Sequence, residues 1–147
     1  MQKKLNLIVA SQKDCSELAF FNKSLAEDGG SNNIMTRDEL ELRMHQLISN
    51  GYLAFIFEVE NEHIGYALID NNKNPVFVRQ FFVAKQFRRK GYGKMAFNQL
   101  VAFLNVDKID LTVLYSNKVG YEFWKNCGLL PYEISMHYRK ERDEYEK

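Results

Sequence analysis

Between residues 76 and 104 an apolar run passes through a basic, glycine-bearing turn straight into a helical pattern. The run is Val76-Phe77-Val78-Arg79-Gln80-Phe81-Phe82-Val83, and the turn is Arg88-Arg89-Lys90-Gly91-Tyr92-Gly93. Phe97, Leu100, Val101 and Leu104 then recur at helical spacing from about Gly91 to Leu104. A strand, a turn with two spaced glycines and a helix start suit a pyrophosphate. The first helical turn presents N–H groups with no partner inside the helix, and the helix dipole adds positive charge there. Glycine lets backbone approach an anion closely, and three adjacent cations add charge beside it.

The chain has 147 residues, which suits one domain over 1–147, with a charged tail at 139–147. Formal net charge is +1, so no global field recruits nucleic acid or an anionic membrane. The basic triplet is therefore aimed at something small. Cys15 and Cys127 lie far apart without CxxC spacing and read as reduced thiols of a cytoplasmic protein. No run is long enough to span a bilayer, and no signal peptide is expected. His45, His63 and His137 lack ligand spacing, so no metal is assigned.

Leu5–Ala10 reads as a strand, and Ser11 as the cap of a helix running to about Leu25. Residues 27–33 read as a loop. Thr36-Arg37-Asp38-Glu39 is a capping box opening a helix that ends at Asn50-Gly51. Tyr52–Glu60, Ile64–Asp70 and Val76–Val83 are strands joined by short turns, hence antiparallel neighbours. Ile109–Tyr115 reads as a strand and Asn117–Cys127 as a helix stopped by Gly128. Tyr132, Ile134, Met136 and Tyr138 alternate with polar residues as in a half-exposed strand. The order β-α-α-β-β-β-α-β-α-β predicts an α/β (α+β) domain with a mixed, mostly antiparallel sheet and helices on its faces.

The run Val83–Gly93 resembles the acetyl-CoA signature of the GNAT superfamily of N-acetyltransferases, [RQ]-x-x-G-x-[GA] after an apolar strand; here it is Arg88-x-x-Gly91-x-Gly93. Asn117-x-x-Gly120-x-x-Phe123-Trp124-x-x-x-Gly128-Leu129 is similar to the family's second landmark. The resemblance implies a sheet splayed beyond Val76–Val83, with acetyl-CoA as cosubstrate in the opening. The backbone of Phe81, Phe82 and Val83 would pair with its pantetheine amides. The turn Arg88, Arg89, Lys90, Gly91, Tyr92, Gly93 and Lys94 would hold its pyrophosphate, and Asn117 and Trp124 would flank its arm. The glycines also fit a dinucleotide fingerprint, but Asp110 precedes its strand rather than ending one, and the preceding strand closes a meander.

Acetyl transfer to an amine needs a base, a polarised thioester carbonyl, a donor for the oxyanion and an acid for the thiolate. The resemblance implies that a strand N–H, of Val83 or Phe82, polarises the carbonyl. Where many members carry a tyrosine acid, this chain has Trp124, whose N–H cannot deliver a proton; Tyr121, Tyr115 or solvent would substitute. Strand alternation puts Phe77, Arg79 and Phe81 on one face and Val78, Gln80 and Phe82 on the other, with no carboxylate on either. Glu58, Glu60, Glu27 and Asp28 are the available bases, directly or through water.

Arg79 in so apolar a strand is either paired with an acid such as Glu58 or Asp70 or binds an anionic group of the acceptor. With Asn22, Glu27 and Asp28 it forms the expected acceptor side. The expected function is transfer of an acetyl group to a primary amine of a small molecule or peptide, by direct attack in a ternary complex. A CoA-binding sensor or interaction module of the same fold is the alternative. The state is monomer or homodimer.

Overall fold

The computed structural model describes residues 3–29 and 35–141, so part of the expected 27–33 loop and of the charged tail lies outside the described residues. The chain divides into two compact units, Met1–Leu111 and Thr112–Lys147. The first holds β1 (Leu5–Val9), α1 (Cys15–Asp28), α2 (Arg37–Ser49), β2 (Tyr52–Val59), β3 (Glu62–Asp70), β4 (Val76–Val83), α3 (Tyr92–Leu104) and β5 (Ile109–Asp110); the second holds α4 (Lys118–Asn126). The five strands form one sheet in the order β1-β2-β3-β4-β5. All pairs are antiparallel except the parallel β4–β5. The α+β class and mixed sheet are as expected, and the element order agrees through α4. No helix among the described residues is long and apolar enough to cross a membrane.

The core has two layers, one on each face of the sheet. On one face Phe55, Phe57, Ile69 and Val78 meet Tyr92, Ala96 and Leu100 of α3. On the other, Ala54, Ile56, Tyr66, Leu68 and Phe82 meet Cys15, Leu18 and Phe21 of α1 and Met44 of α2. From Ile64 to Asp70 every residue of β3 is buried, because helices cover both of its faces. Each fully buried Phe, Leu or Ile side chain contributes roughly 1.5–3 kcal/mol.

Local chemistry explains the boundaries. Thr36 accepts the Glu39 amide at 3.1 Å while the Glu39 carboxylate accepts the Thr36 amide at 2.9 Å, the expected capping box. Ser11 caps a 3-10 turn at Gln12–Asp14 rather than α1 itself, its amide donating to Asp14 Oδ2 at 2.8 Å. The β2–β3 turn is Glu60-Asn61, with φ of 49° and 65°, not residues 61–63. Two left-handed residues match the twist of a two-residue hairpin, which adds Glu62 and His63 to β3.

Two expected strands change. β5 is only Ile109–Asp110, since its ladder with β4 stops at Phe77↔Asp110. Residues 129–139 form no strand within the described residues. Tyr132–Tyr138 have the alternating pattern, but a pattern becomes a strand only where an edge offers backbone partners.

The expected alternation along β4 is also corrected. The register passes from Leu68↔Gln80 to Ile69↔Val78, leaving Arg79 as an extra residue in a β-bulge. Val78 and Gln80 therefore face opposite sides, Val78 toward α3 and Gln80 toward α1. Phe81 packs on the α3 side, 5.2 Å from the Phe57 ring.

Candidate functional site

The turn after β4 combines left-handed residues with a helix start. Arg88 has extended backbone (φ −78°), Arg89 is left-handed at 62° and Gly91 at 85°. Left-handed residues interleaved in a turn aim successive N–H groups into a common hollow. Gly91 is also the N-cap of α3, with no side-chain cap and no acid in the first turn. The amides of Tyr92, Gly93 and Lys94 thus keep the unpaired donors of a helix start. Tyr92 is buried and anchors that first turn under the sheet.

Beside the turn, the ladder of β4 with β5 is short among the described residues. β4 pairs with β3 along its length but with β5 only at Val76 and Phe77. The Ala84 amide donates to the Ile64 carbonyl at 2.7 Å, so residue 84 faces β3. Backbone polar groups alternate in direction along a strand. Phe82 therefore faces β3, while the backbone groups of Phe81 and Val83 turn away from it. Of the two expected strand donors, Val83 has the amide directed away from β3.

Arg88 has a different role from that expected for a phosphate ligand. Its Nε donates to the Val83 carbonyl at 2.7 Å, its Nη2 lies 2.7 Å from Asp28 Oδ2, and its guanidinium sits 5.4 Å above the Phe82 ring. Asp28, expected on the acceptor side, is its ion-pair partner. Arg89 and Lys94 are exposed. Lys90 reaches over Phe87 and lines a cavity of about 520 Å³ with Lys3, Glu60, Glu62 and Tyr92.

On the α1–α2 side of the sheet lies a polar chain beneath the helices. Tyr66 donates its hydroxyl to Gln80 Oε1 at 2.7 Å, and Gln80 Nε2 donates to Asn22 Oδ1 at 3.4 Å. Burial pushes the Tyr66 phenol far above its usual range, with the Arg43 charge opposing, so it stays a donor. Asn22 is buried in this network. Arg79 is exposed and donates to the Tyr52 hydroxyl at 2.9 Å, not to a carboxylate. Glu27 is exposed at the end of α1.

Glu58 sits on β2, separated from β4 by β3. His63 links it to α1: Nδ1 is 2.7 Å from Glu17 Oε2 and Nε2 is 3.6 Å from Glu58 Oε2. The sequence reading missed Glu17 and His63. Only the hairpin register, which pairs Glu58 with His63, could have signalled them. The described residues contain no His/Cys/Asp/Glu group able to hold a metal.

The second unit carries the other landmark on and before α4. Asn117 is the helix N-cap, its Oδ1 accepting the Gly120 amide at 2.9 Å. Trp124 stacks edge-to-face on Phe123 at 4.7 Å. Tyr121 is exposed, with Lys125 Nζ 5.5 Å from its ring.

Comparisons with known proteins agree with this geometry. The profile of the acetyltransferase (GNAT) family matches residues 19–129. No curated protein matches at a significant level. Among solved structures, a possible acetyltransferase from Clostridium difficile 630 superposes with a TM-score of 0.76 at 16% identity, over 95% of this chain and 99% of that one. An aminoglycoside N-acetyltransferase in complex with CoA gives 0.74 at 15%, over 95% and 97%. A predicted acetyltransferase with acetyl-CoA from Clostridium acetobutylicum gives 0.72 at 21%, over 92% and 96%.

Proposed function

The chain belongs to the GNAT acetyltransferase family, and from that premise we propose that it transfers the acetyl group of acetyl-CoA to a primary amine by direct attack in a ternary complex. The observation that carries this is the uncapped start of α3, with left-handed Arg89 and Gly91, directly after β4. The donors fit the group: amides from Arg89 to Lys94 suit a pyrophosphate, and the Val83 amide, directed away from β3, suits a carbonyl of the acyl-pantetheine arm. Bound there, acetyl-CoA supplies an activated acyl carbon and a thiol leaving group.

The protein's own part is to hold and orient. The Val83 amide donates to the thioester oxygen, which favours attack as charge builds on that oxygen. No carboxylate lies on β4, so the amine loses its proton through water, with Glu58 as the proposed final acceptor. A thiol of ordinary pKa near 8.5 leaves tolerably without a strong acid.

Calorimetric titration of acetyl-CoA into the wild type and into Gly91→Glu tests the reading. Binding to the first and none to the folded variant is expected, with free-thiol release when amines are added. No binding to the folded wild type overturns the reading. Binding without turnover on any amine would favour the CoA-binding module, a reading that the missing β4 carboxylate also suits.

A further inference from the structure

Arg79 is a cation held in a fixed place without a carboxylate of its own. It is the bulged residue of β4, two positions past the last rung of the β4–β5 ladder. Its Nη1 donates to the Tyr52 hydroxyl at 2.9 Å, and its guanidinium lies 5.5 Å over the Tyr52 ring. The Tyr52 proton is committed elsewhere, to Asp70 Oδ2 at 3.1 Å, so the phenol oxygen can only accept from Arg79. Asp70 is buried and reaches Arg79 only through that phenol. A guanidinium carries five N–H donors; the Tyr52 bond is the one hydrogen bond it makes among the described residues.

Two further cations, on α1 and α2, are likewise held by neutral groups. Lys23 Nζ donates to the Met35 carbonyl at 2.8 Å and Arg43 Nη1 to the Met35 sulfur at 3.9 Å. Arg43 acts electrostatically on Tyr66, whose hydroxyl bonds Gln80, the residue after Arg79. Among the described residues none of these three cations enters an ion pair, whereas Arg88 and Lys3 each hold a carboxylate.

We propose that the acceptor amine also carries an anionic group, a carboxylate or a phosphate monoester, which the Arg79 guanidinium binds. The proposal rests on the acetyl-transfer reading of the same site and names its substrate class. It sets this chain apart from its aminoglycoside-modifying structural neighbours, because a polycationic acceptor would be repelled by the Arg79 guanidinium. Tyr52 is a positioning residue: it presents the guanidinium with its remaining donors free to form a fork with two anion oxygens.

The test is calorimetry on protein saturated with CoA, so that the phosphate turn is filled. The probes are glutamate against its diamide, O-phosphoethanolamine against ethanolamine, and an aminoglycoside. One anionic probe should bind at least about tenfold more tightly than its neutral partner, the worth of a charge-assisted hydrogen bond. Whichever pair discriminates identifies the anion. The ratio should fall to about one in Arg79→Ala, and to an intermediate value in Tyr52→Phe, with CoA affinity unchanged in both. Equal binding of the pairs, no binding of any anionic probe, tighter binding of the aminoglycoside, or a ratio that survives Arg79→Ala overturns the proposal. Failure of CoA to bind the wild type is a separate result and counts against acetyl transfer itself.

Discussion

Arg88 Nη2 lies 2.7 Å from Asp28 Oδ2, and the same guanidinium donates through Nε to the Val83 carbonyl at 2.7 Å. One side chain therefore ties the C-terminal end of α1 to the last residue of β4 and to the turn that follows. The sequence motif suggests Arg88 as a phosphate cation; the geometry makes it a strut of the turn after β4. Arg89 stays exposed beside the start of α3.

A strut and a charge respond differently to lysine. Arg88→Lys keeps the positive charge but cannot reach two acceptors at fixed angles. We expect Arg88→Lys and Arg88→Ala to raise the acetyl-CoA KM similarly, by several-fold. Asp28→Asn should have a smaller effect of the same sign, with stability changed by no more than about 1 kcal/mol, as for other exposed pairs. Rescue by lysine in steady-state kinetics would instead make Arg88 a phosphate ligand.

Gly65 has no side chain because the β3–β4 ladder leaves no room for one. A Cβ there would overlap the Phe82 carbonyl oxygen and come within 3.0 Å of Val83 Cα. Gly65→Ala should cost about 1–3 kcal/mol by overpacking. It should also weaken acetyl-CoA binding, because the displaced strand carries the Val83 edge. Urea denaturation and calorimetry on the one variant check both; a stable variant with intact binding would contradict this.

The Tyr66–Gln80–Asn22 chain offers a non-additive test. Gln80→Leu leaves a buried phenol without its acceptor, at about 1–3 kcal/mol. Tyr66→Phe removes the need for that acceptor. The double variant should therefore be more stable than Gln80→Leu alone, as a double-mutant cycle in urea would show.

Much of the fold was legible because its signals are local. The Thr36–Glu39 box, the β2–β3–β4 meander and the α3 periodicity each lie within a short window. The bulge at Arg79 was not, because a bulge is a property of two strands and only the register with Leu68 and Ile69 reveals it. That single residue puts Val78 on the opposite face from Gln80 and Phe82, which strict alternation would have kept together. The turn at Glu60-Asn61 escaped for a related reason: neither residue is glycine, although asparagine tolerates left-handed backbone. In the site, the Gly91 hollow was readable from spacing, whereas the Arg88–Asp28 and His63–Glu17 pairs join residues 60 and 46 positions apart and have no sequence signature.

Asp70 makes the fold sensitive to acid. Burial pushes its carboxyl up, but the Asn72 amide and side chain and the Tyr52 hydroxyl outweigh this and hold it below the ordinary value. A carboxyl depressed on folding adds stability that is fully present above its unfolded pKa, near 3.9, and is lost as pH falls through the folded value. Melting temperature should therefore drop below about pH 4 in the wild type. Asp70→Asn should melt lower at neutral pH and show a flatter acid limb. Glu39, held down mainly by the Thr36 amide, acts in the same direction, so Glu39→Gln should flatten the limb further.

Glu58 is the proposed proton acceptor, yet β3 separates its strand from β4. Strands lie about 4.8 Å apart, so the β2 backbone is roughly 9.6 Å from that of β4, and a proton must travel through water. A carboxylate in direct contact with the amine would be worth about 10²–10⁴ in rate. A relay that solvent can replace should be worth less than about tenfold. We expect kcat to fall by under about tenfold in Glu58→Gln, and kcat/KM to rise with pH along the acceptor's own amine titration in both proteins. Two amines of different pKa should shift that profile in parallel with their pKa values. A loss above about a hundredfold, with the basic limb gone, would instead place Glu58 against the amine.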